Sequence, residues 1–316
     1  MPGLPNRITA ACVVFIAGCQ AALASDLGPS LQNIKDAGAM VIGYREGTVP
    51  LSYADAGSQP IGLALDLCGL IAGSIKESLG LPDLKVVYLP VTAAEGAASL
   101  EKGTIALDCG ATPVTAELQR RVAFSNPIFV SELTWLVPRK LRVEREGRRR
   151  RRVEIISPSS AEDLKDKTVA LTQGSAAASV ALTLSNDRTL GLSIVQGKDN
   201  AESFKLLESG KASAFMADTV QLVALKAAAK NPDAFGFLEG GYPGAAYALM
   251  LPKDDAMFKK LVTGVLAETV RSGEYAKLYT KWFESPIPPK NVNLDYPMSE
   301  KLKETLKIEA NKASGQ

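Results

Sequence analysis

The sequence contains no histidine among its 316 residues. This absence excludes Ser–His–Asp and Cys–His nucleophilic systems and zinc sites with histidine ligands, while carboxylate and lysine chemistry stay open. No GxGxxG follows a predicted strand and no GxxxxGK[ST] occurs, so the sequence predicts neither a dinucleotide cofactor nor a nucleoside triphosphate. We therefore expect a protein that binds rather than catalyses, without a cofactor or a metal.

Cysteine is scarce, with four in the whole chain. Cys12 and Cys19 fall in an N-terminal apolar segment, which leaves Cys68 and Cys109 for the rest. Two cysteines in an oxidising compartment indicate one disulfide, here between a predicted helix and the end of a predicted strand. The alternative is two separate buried thiols. A metal site is not supported, because two sulfurs without further ligands do not form one.

Long apolar runs are also missing. Arg7 precedes residues 8–18, ITAACVVFIAG, a run that is too short to span a bilayer and has the length of a signal-peptide core. We expect residues 1–24 to be a signal peptide that is cleaved before Ser25 and directs the protein to the periplasm. One alternative is a lipoprotein box that lipidates Cys19, and another is a plain buried helix.

The whole chain is rich enough in apolar residues, at 46%, to bury sizeable cores, and its length suggests two domains. Apolar runs alternate with stretches of helical periodicity. The predicted strands cover residues 40–44, 84–89, 104–108, 168–172, 191–196 and 212–218. This alternation predicts an α/β protein with two lobes, each a mostly parallel sheet flanked by helices, and a ligand cleft at the carboxyl ends of the strands.

Two extended runs, residues 128–138 and 245–252, lie where the chain would cross between the lobes. A long amphipathic helical stretch follows the second run, broken at Ser272-Gly273, and it would return to the first lobe. We therefore assign residues 25–130 and 249–316 to lobe 1 and residues 131–248 to lobe 2, with the two crossings acting as a hinge.

Residues 108–127, DCGATPVTAELQRRVAFSNP, contain the turn that most invites a functional interpretation. An apolar strand runs into Gly110, and Thr112 and Pro113 are predicted as the cap and first residue of a helix. Backbone N–H groups left free at such a turn, together with those of Val114 and Thr115, would suit an anion. The inward helical position that could carry a cation is Leu118.

Residues 139–152, RKLRVEREGRRRRR, carry nine basic and two acidic residues, a surplus of seven in a chain whose net charge is +2. One interpretation is a surface that contacts anionic lipid or an acidic partner. The other is a solvated surface loop, which we favour because no aromatic residues alternate with the arginines, as they do in proteins that bind single-stranded nucleic acid.

Four segments carry a family resemblance: VIGYREGTVPLSYAD, DCGATP…AFSNPIFV, KDNAESFKLLESGKASAFMAD and KWFESPIPPKN. Together they resemble the periplasmic glutamate/aspartate-binding proteins, the extracytoplasmic receptors of polar amino acid ABC transporters. The resemblance covers about residues 31–307. It implies the type II periplasmic-binding-protein fold and a monomer that closes on one small ligand. The closed form would be presented to a membrane permease, and no nucleic acid partner is expected.

The resemblance also implies ligand-binding residues in both lobes. Arg45 would reach the acidic side chain of the ligand, Ser175 would offer its hydroxyl and N–H to a carboxylate, and Asp218 would pair with the ammonium. The alternatives are a surface arginine for Arg45 and a helix N-cap for Asp218. The full set is Arg45, Gly110, Ala111, Thr112, Ser175, Asn200 and Asp218.

The chain departs from the family pattern at ligand-facing positions. Gly96 and Leu118 stand where the family places two of its three ligand arginines, Asn200 replaces a histidine, and Pro113 replaces a threonine. Each lost partner of a buried charge pair costs about 2–5 kcal/mol. Arg120 and Arg121 align with positions that face solvent, so they do not replace the two missing ligand arginines. We therefore expect weak binding of glutamate or aspartate, and a small polar amino-acid-like or monocarboxylate ligand instead.

Two other functions compete with transport capture. A periplasmic dehydratase of the same architecture would need a paired acid and base in the cleft, and Asp218 and Glu46 do not form a convincing pair. A receptor-derived protein that has lost its ligand would use the arginine-rich run of residues 139–152 as its contact surface.

Overall fold

The computed structural model describes residues 27–146, 149–156, 158–186 and 190–313. The predicted signal peptide, residues 1–24, and the lipidation site at Cys19 lie outside these ranges. Within them, no helix is both long and apolar enough to cross a membrane.

Helix ends in this fold follow signals in the local sequence, as helix α2 shows. Helix α2 was predicted from apolar spacing between Leu63 and Gly80, and it ends at Gly80, which adopts a left-handed conformation (φ 63°) that glycine tolerates best. The helices are α1 (Gly28–Ala37), α2 (Leu63–Leu79), α3 (Ala93–Glu101), α4 (Ala116–Arg121), α5 (Ala176–Asn186), α6 (Asn200–Glu208), α7 (Thr219–Ala228), α8 (Ala256–Arg271), α9 (Glu274–Phe283) and α10 (Glu300–Ala313).

The strands follow the predicted runs, with short additions around the turns. They are β1 (Ala39–Tyr44), β2 (Gly47–Thr48), β3 (Ser52–Ala54), β4 (Pro60–Ile61), β5 (Lys85–Pro90), β6 (Leu107–Pro113), β7 (Ala123–Phe124), β8 (Phe129–Val130), β9 (Leu133–Glu146), β10 (Arg149–Ile156), β11 (Thr168–Thr172), β12 (Ser193–Gly197), β13 (Ala214–Asp218), β14 (Phe235–Phe237), β15 (Ala246–Leu251), β16 (Pro286–Ile287) and β17 (Val292–Asn293).

The strands form two main sheets, each of six strands. In sheet 1 the order is β5-β1-β6-β15-β7, with β8 also paired to β15; β1 runs parallel to β5 and β6, and β15 runs antiparallel to its neighbours. In sheet 2 the order is β10-β9-β13-β11-β12, with β14 paired to β9. Strand β11 is parallel to β12 and β13, whereas β9 is antiparallel to β10, β13 and β14. Both sheets are therefore mixed rather than mostly parallel.

Each sheet contains antiparallel pairs because some of its strands lie at the crossings between the two sheets. The first predicted crossing becomes β8 and β9, which belong to sheet 1 and sheet 2 respectively, and the second becomes β15 in sheet 1. A strand that enters from the other sheet arrives in the opposite direction to the local βα units, so it pairs antiparallel. The division into residues 25–130 with 249–316 and residues 131–248 stays a prediction.

The larger core lies on sheet 1 and includes residues from both ends of the chain. Ile42 and Leu107 of the sheet share one buried cluster with Phe258 and Phe283 of the C-terminal helices. Phe129, at the first crossing, stacks on Phe283 with ring centroids 5.3 Å apart. The C-terminal helices thus pack on the first sheet, as their amphipathic pattern predicted. Sheet 2 carries separate buried clusters built around Trp135 and Phe215.

The two remaining cysteines form the predicted disulfide. Cys68 of α2 is bonded to Cys109 of β6, and both residues are fully buried. The bond fastens a helix to the strand that carries the turn of residues 108–127.

Two local predictions were wrong. Thr112 and Pro113 end strand β6 instead of starting a helix, because they pair with Ala248 and Tyr247 of β15. The helix begins at Ala116, and its N-cap is Thr115, whose hydroxyl accepts the Leu118 N–H.

The arginine-rich residues 139–152 were predicted as a loop, and their backbone instead forms most of a β9–β10 hairpin. The register pairs Arg139 with Ile156 at one end and Glu146 with Arg149 at the other. An extended hairpin satisfies the backbone N–H and C=O groups of this segment, which a loop would leave to water.

Asp255 joins the starts of two helices. One carboxylate oxygen accepts the Phe258 N–H of α8 at 2.8 Å and the other accepts the Ser30 N–H of α1 at 2.7 Å, in a buried position.

Asp255→Ala leaves both donors buried without a partner, and we expect a loss of about 2–3 kcal/mol in the free energy of unfolding, measured by urea denaturation. Asp199→Ala, which removes an exposed cap from α6 alone, is the control and should cost about 1 kcal/mol. Equal losses in the two variants would contradict the double role.

Candidate functional site

Arg45 follows strand β1, whose carboxyl end lies beside the first residues of β6. Its guanidinium donates to the Asp108 carboxylate at 3.0 Å, to the Val91 carbonyl oxygen at 3.1 Å and to the Thr112 hydroxyl at 2.8 Å. The Arg45 side chain is 11% exposed and that of Asp108 is fully buried. The arginine expected to face the ligand is therefore held by an internal carboxylate.

Both oxygens of Asp108 serve as hydrogen-bond acceptors. One accepts from Arg45 and the other accepts the Gly110 N–H at 2.9 Å. Burial raises the pKa of Asp108, and the Arg45 charge and the Gly110 N–H act to lower it. Two donors aimed at two oxygens leave no acceptor for a carboxyl proton, so this arrangement suits the ionised form.

Gly96 provides the space that Asp108 occupies. A Cβ atom at position 96 would lie 1.9 Å from the Asp108 Oδ2 atom and 3.4 Å from the Met250 Cε atom. From the sequence, Gly96 was identified only as a missing arginine. In the structure, Gly96 and Asp108 form one unit, because any side chain at position 96 would displace the carboxylate that pairs with Arg45.

This close approach predicts an inverted effect of alanine. Glycine in a helix interior normally destabilises by about 0.5–1 kcal/mol relative to alanine. We expect Gly96→Ala in α3 to lower the free energy of unfolding by about 1–3 kcal/mol instead, because Asp108 must move. Gly264→Ala in α8, where nothing lies within 4 Å of the new Cβ, is the matched control and should raise it. Stabilisation of both variants in thermal and urea unfolding would refute the contact.

Gly110-Ala111-Thr112, the predicted turn, lies within strand β6 and directly against Arg45. A Cβ on Gly110 would meet the guanidinium carbon of Arg45, so any side chain at this position would displace Arg45. Ala111 is buried and has a positive φ of 50°. The nearby Val114 N–H donates to the Ala246 carbonyl oxygen, so it is not available to an anion as the sequence had suggested. The turn supports Arg45 rather than presenting a row of free donors.

Leu118 carries no polar group to the site and packs partly buried against the cluster that includes Met250. Arg121, next to the solvent-facing Arg120, pairs with Glu101 through two hydrogen bonds of 2.8 Å at the surface. Within the described part of helix α4, the cation expected at position 118 is therefore not replaced by a neighbour.

A second polar cluster lies at the carboxyl ends of the strands in sheet 2. Asn200, the first residue of α6, accepts a hydrogen bond from the Thr172 hydroxyl at the end of β11 and donates one to the Gln221 side-chain oxygen in α7. The Thr172 hydroxyl also lies 3.0 Å from the Ser203 hydroxyl. Three secondary-structure elements thus fix the Asn200 amide.

Ser175 lies beside this cluster, directly before helix α5. Its N–H donates to the Thr172 carbonyl oxygen at 3.1 Å, and its hydroxyl oxygen accepts the Ala178 N–H at 3.2 Å. The hydroxyl proton of Ser175 is left to donate, whereas its backbone N–H is already engaged.

Asp218 ends strand β13 and holds a buried oxygen, Oδ1, that has no hydrogen-bond partner among the described residues. It occupies the N-cap position of α7 without making a capping hydrogen bond, so capping does not account for it. Burial raises the pKa of Asp218, and the neighbouring Tyr247 hydroxyl offsets part of this shift. A buried carboxylate oxygen without a donor is costly, and a ligand cation would remove that cost.

Tyr247 connects the two polar clusters. Its buried hydroxyl lies against the Asp218 carboxylate and the Gln221 side chain. Burial and the charge of Asp218 raise the pKa of Tyr247, against a smaller opposing effect of Gln221. On strand β15, Tyr247 is paired with Pro113, the residue after Thr112. The Asp218 region of sheet 2 therefore adjoins the Thr112 end of the Arg45 network in sheet 1.

A cavity of about 550 Å³ lies between residues 47–49, helices α6 and α7 and the segment around Pro288. Its lining includes Thr48 and Val49, which follow Arg45 closely in the chain, and Asn200 and Gln221 of the second cluster. Apolar side chains of α7 and of the segment around Pro288 complete the wall. Cavities of this size hold small solutes. No group of three or more potential metal ligands occurs in the described ranges.

The structure thus brings Arg45, Gly110, Ala111 and Thr112 together in sheet 1. It places Ser175, Asn200 and Asp218 around the ends of β11 and β13. The sequence analysis missed the polar partners Asp108, Thr172, Gln221 and Tyr247. Asp108 had a signal in the sequence, since an aspartate inside an apolar strand must find a partner when it is buried.

Comparisons of the whole chain agree with this architecture. Residues 40–285 match the family described as bacterial extracellular solute-binding proteins, family 3. The chain is 35% identical over 315 residues to the L-glutamate/L-aspartate-binding protein of Pseudomonas aeruginosa, which covers 99% of this chain and 98% of that protein. It is also 35% identical over 286 residues to the glutamate/aspartate import solute-binding protein of Escherichia coli, with 90% of each chain covered.

Solved structures share the fold. An ancestral arginine-binding protein bound to arginine matches 78% of this chain and 98% of its own with a TM-score of 0.59 at 23% identity. A polar amino acid ABC uptake transporter substrate-binding protein from Streptococcus thermophilus matches 90% of this chain and 96% of its own, with a TM-score of 0.57 and 18% identity. The predicted type II periplasmic-binding fold is confirmed.

Proposed function

Because the chain belongs to family 3 of the bacterial extracellular solute-binding proteins, we propose that it is the receptor of an ABC importer for a small amino-acid-like solute. The solute is held between the two sheets, and the closed receptor delivers it to a membrane permease. The importer role comes from the relatives, one of which is named as an import protein for glutamate and aspartate.

The observation that carries the proposal is the buried Asp218 carboxylate, which faces the Tyr247 hydroxyl and has no cation beside it among the described residues. An ammonium group supplies the positive charge that this carboxylate lacks. Arg45 and Thr112 on sheet 1, with Gly110 and Ala111 behind them, form the opposing side. Ser175 and Asn200 supply a hydroxyl and an amide from sheet 2. Of these residues, Asn200 lines the cavity of about 550 Å³.

Titration calorimetry against amino acids and small organic acids tests this function. We expect one or more amino acids to bind, and Asp218→Asn to weaken that binding about 30-fold or more, because the variant keeps the shape and removes the charge. The same variant should raise the unfolding free energy of the ligand-free protein by on the order of 1 kcal/mol, since a carboxylate is no longer buried without a partner. Asp254→Asn, at an exposed position before α8, is the control and should leave affinity unchanged. No heat with any compound would reject the proposal.

Ligand closure is part of the proposal. Lobe 1, residues 25–130 and 249–316, would rotate against lobe 2, residues 131–248, about the two crossings. Small-angle scattering should show a smaller radius of gyration with the ligand that calorimetry identifies. The same measurement reports the mass, which we expect to be that of a monomer. The solute should be recovered chemically unchanged, since the proposed role is binding and not catalysis.

We also propose export to the periplasm. The family consists of extracellular proteins, and the Cys68–Cys109 disulfide suits an oxidising compartment. Mass spectrometry of the mature protein distinguishes cleavage after residue 24 from lipidation at Cys19. A mature protein that begins at Met1 in the cytoplasmic fraction would contradict export.

A further inference from the structure

The Arg45–Asp108 pair removes the positive charge that a dicarboxylic ligand needs. The Arg45 guanidinium lies 3.0 Å from the Asp108 carboxylate, whose side chain is fully buried. Within a poorly hydrated site the two charges cancel at short range, so a ligand meets a neutral pair. The donors of Arg45 remain useful as hydrogen-bond groups, but the net charge of the pair is zero.

The donors of Arg45 are also largely engaged. A guanidinium has five N–H donors, and three go to Val91, Asp108 and Thr112. The two that remain match one carboxylate group at most. A ligand with two carboxylates would have to find a second cation elsewhere.

The cavity offers no such cation from the described residues of its inner wall. Its polar lining includes the neutral groups Asn200, Gln221 and Thr48. The basic side chain at this cavity is Lys290, which is exposed and donates to the Ala228 carbonyl oxygen at 2.7 Å. A second carboxylate placed here would lose its hydration without gaining a partner.

Asp218 adds a negative charge that no described residue balances by a hydrogen bond through Oδ1. The charges of Arg45, Asp108 and Asp218 sum to −1, and the exposed Asp199 and Lys290 in the cavity lining carry opposite charges that leave this sum unchanged. A zwitterion with a neutral side chain, or a solute with an additional cation, is electrostatically matched to this site, whereas a glutamate or aspartate anion is not.

We propose that Asp108, seated in the space left by Gly96, is a specificity-determining residue that excludes dicarboxylic amino acids and selects solutes with an ammonium and no more than one carboxylate. This inference rests on the proposed function as an amino acid receptor. It departs from what the names of the curated relatives say of those proteins.

A panel of ligand pairs with equal shape tests the wild-type protein. Calorimetry is performed with the twenty L-amino acids, including glutamine against glutamate and asparagine against aspartate. We expect the tightest ligand to be neutral or cationic and to bind about 30-fold or more tightly than either dicarboxylate. Glutamate or aspartate as the tightest ligand would overturn the proposal. Binding of no amino acid would instead reject the proposed function, and this inference with it.

Asp108→Asn tests the residue itself. The variant frees the charge of Arg45 while preserving the side-chain size, so the ratio of glutamate affinity to glutamine affinity should rise at least tenfold. Glu101→Gln, which frees Arg121 on the surface instead, is the matched control and should leave the ratio unchanged. An unchanged ratio in folded Asp108→Asn would show that Asp108 does not set specificity. Thermal unfolding of each variant establishes that it is folded, and if Asp108→Asn does not fold, the wild-type panel alone supports or overturns the proposal.

Discussion

Replacement of Asp108 by alanine is expected to lower the free energy of unfolding by about 3–5 kcal/mol, the usual cost of removing one partner of a buried ion pair. Arg45 would keep its charge in a position that is 11% exposed, with only Val91 and Thr112 as acceptors among the described residues. The Gly110 N–H would also lose its acceptor. Urea denaturation monitored by tryptophan fluorescence and circular dichroism measures the loss.

A double variant tests whether the stability lost in Asp108→Ala comes from leaving the Arg45 charge without its partner. Arg45→Met with Asp108→Leu removes both charges and should recover a large part of the stability that Asp108→Ala loses, because no charge stays buried alone. Glu101→Ala, which breaks the exposed pair with Arg121, should change stability little. If Asp108→Ala behaves like Glu101→Ala, Arg45 reaches solvent once it is released and the pair has no structural role.

Loss of the Cys68–Cys109 disulfide is the second large effect. The two cysteines are separated by 41 positions in the sequence. Closing a loop of that length in the unfolded chain corresponds to about 4 kcal/mol of stabilisation in the chain-entropy description. We expect Cys68→Ala with Cys109→Ala to lower the free energy of unfolding by about that amount, measured by urea denaturation.

The reduced wild-type protein provides the comparison. Unfolding in the presence of a reductant should match unfolding of the double alanine variant, since both lack the cross-link. A reductant should leave the double variant unaffected. If the double variant is as stable as the oxidised protein, the bond contributes nothing to stability and the packing of α2 against β6 is sufficient without it.

The disulfide also positions the site. Cys109 lies between Asp108, which pairs with Arg45, and Gly110, which touches the same guanidinium. The bond to α2 therefore fixes the stretch of β6 on which the Arg45 network depends. This arrangement gives a physical reason for finding the covalent link within one residue of the charge pair.

Several features were determined by the sequence alone. Apolar periodicity located helix α2 and its end at Gly80, and the break at Ser272-Gly273 between α8 and α9. The alternation of strands and helices predicted the α/β class, and the count of cysteines predicted the disulfide. These features depend on neighbours within one turn or strand, or on composition, so the local sequence contains the information.

Other features were decided by tertiary structure. Thr112 and Pro113 carry a helix-start signal, but they extend β6 because β15 arrives from a distant part of the chain to pair with them. The role of Gly96 became clear only with Asp108 beside it. Residues 96 and 108 are on different elements, and their contact depends on how α3 packs against β6.

The same reason explains the candidate site. The family resemblance located the seven expected residues, but it presented Arg45 as a cation facing a ligand. Whether that charge is free depends on Asp108, 63 positions away in the sequence, and on the space left by Gly96. Local sequence sets which groups can ionise, whereas the distances between groups on separate strands and helices determine which charges cancel.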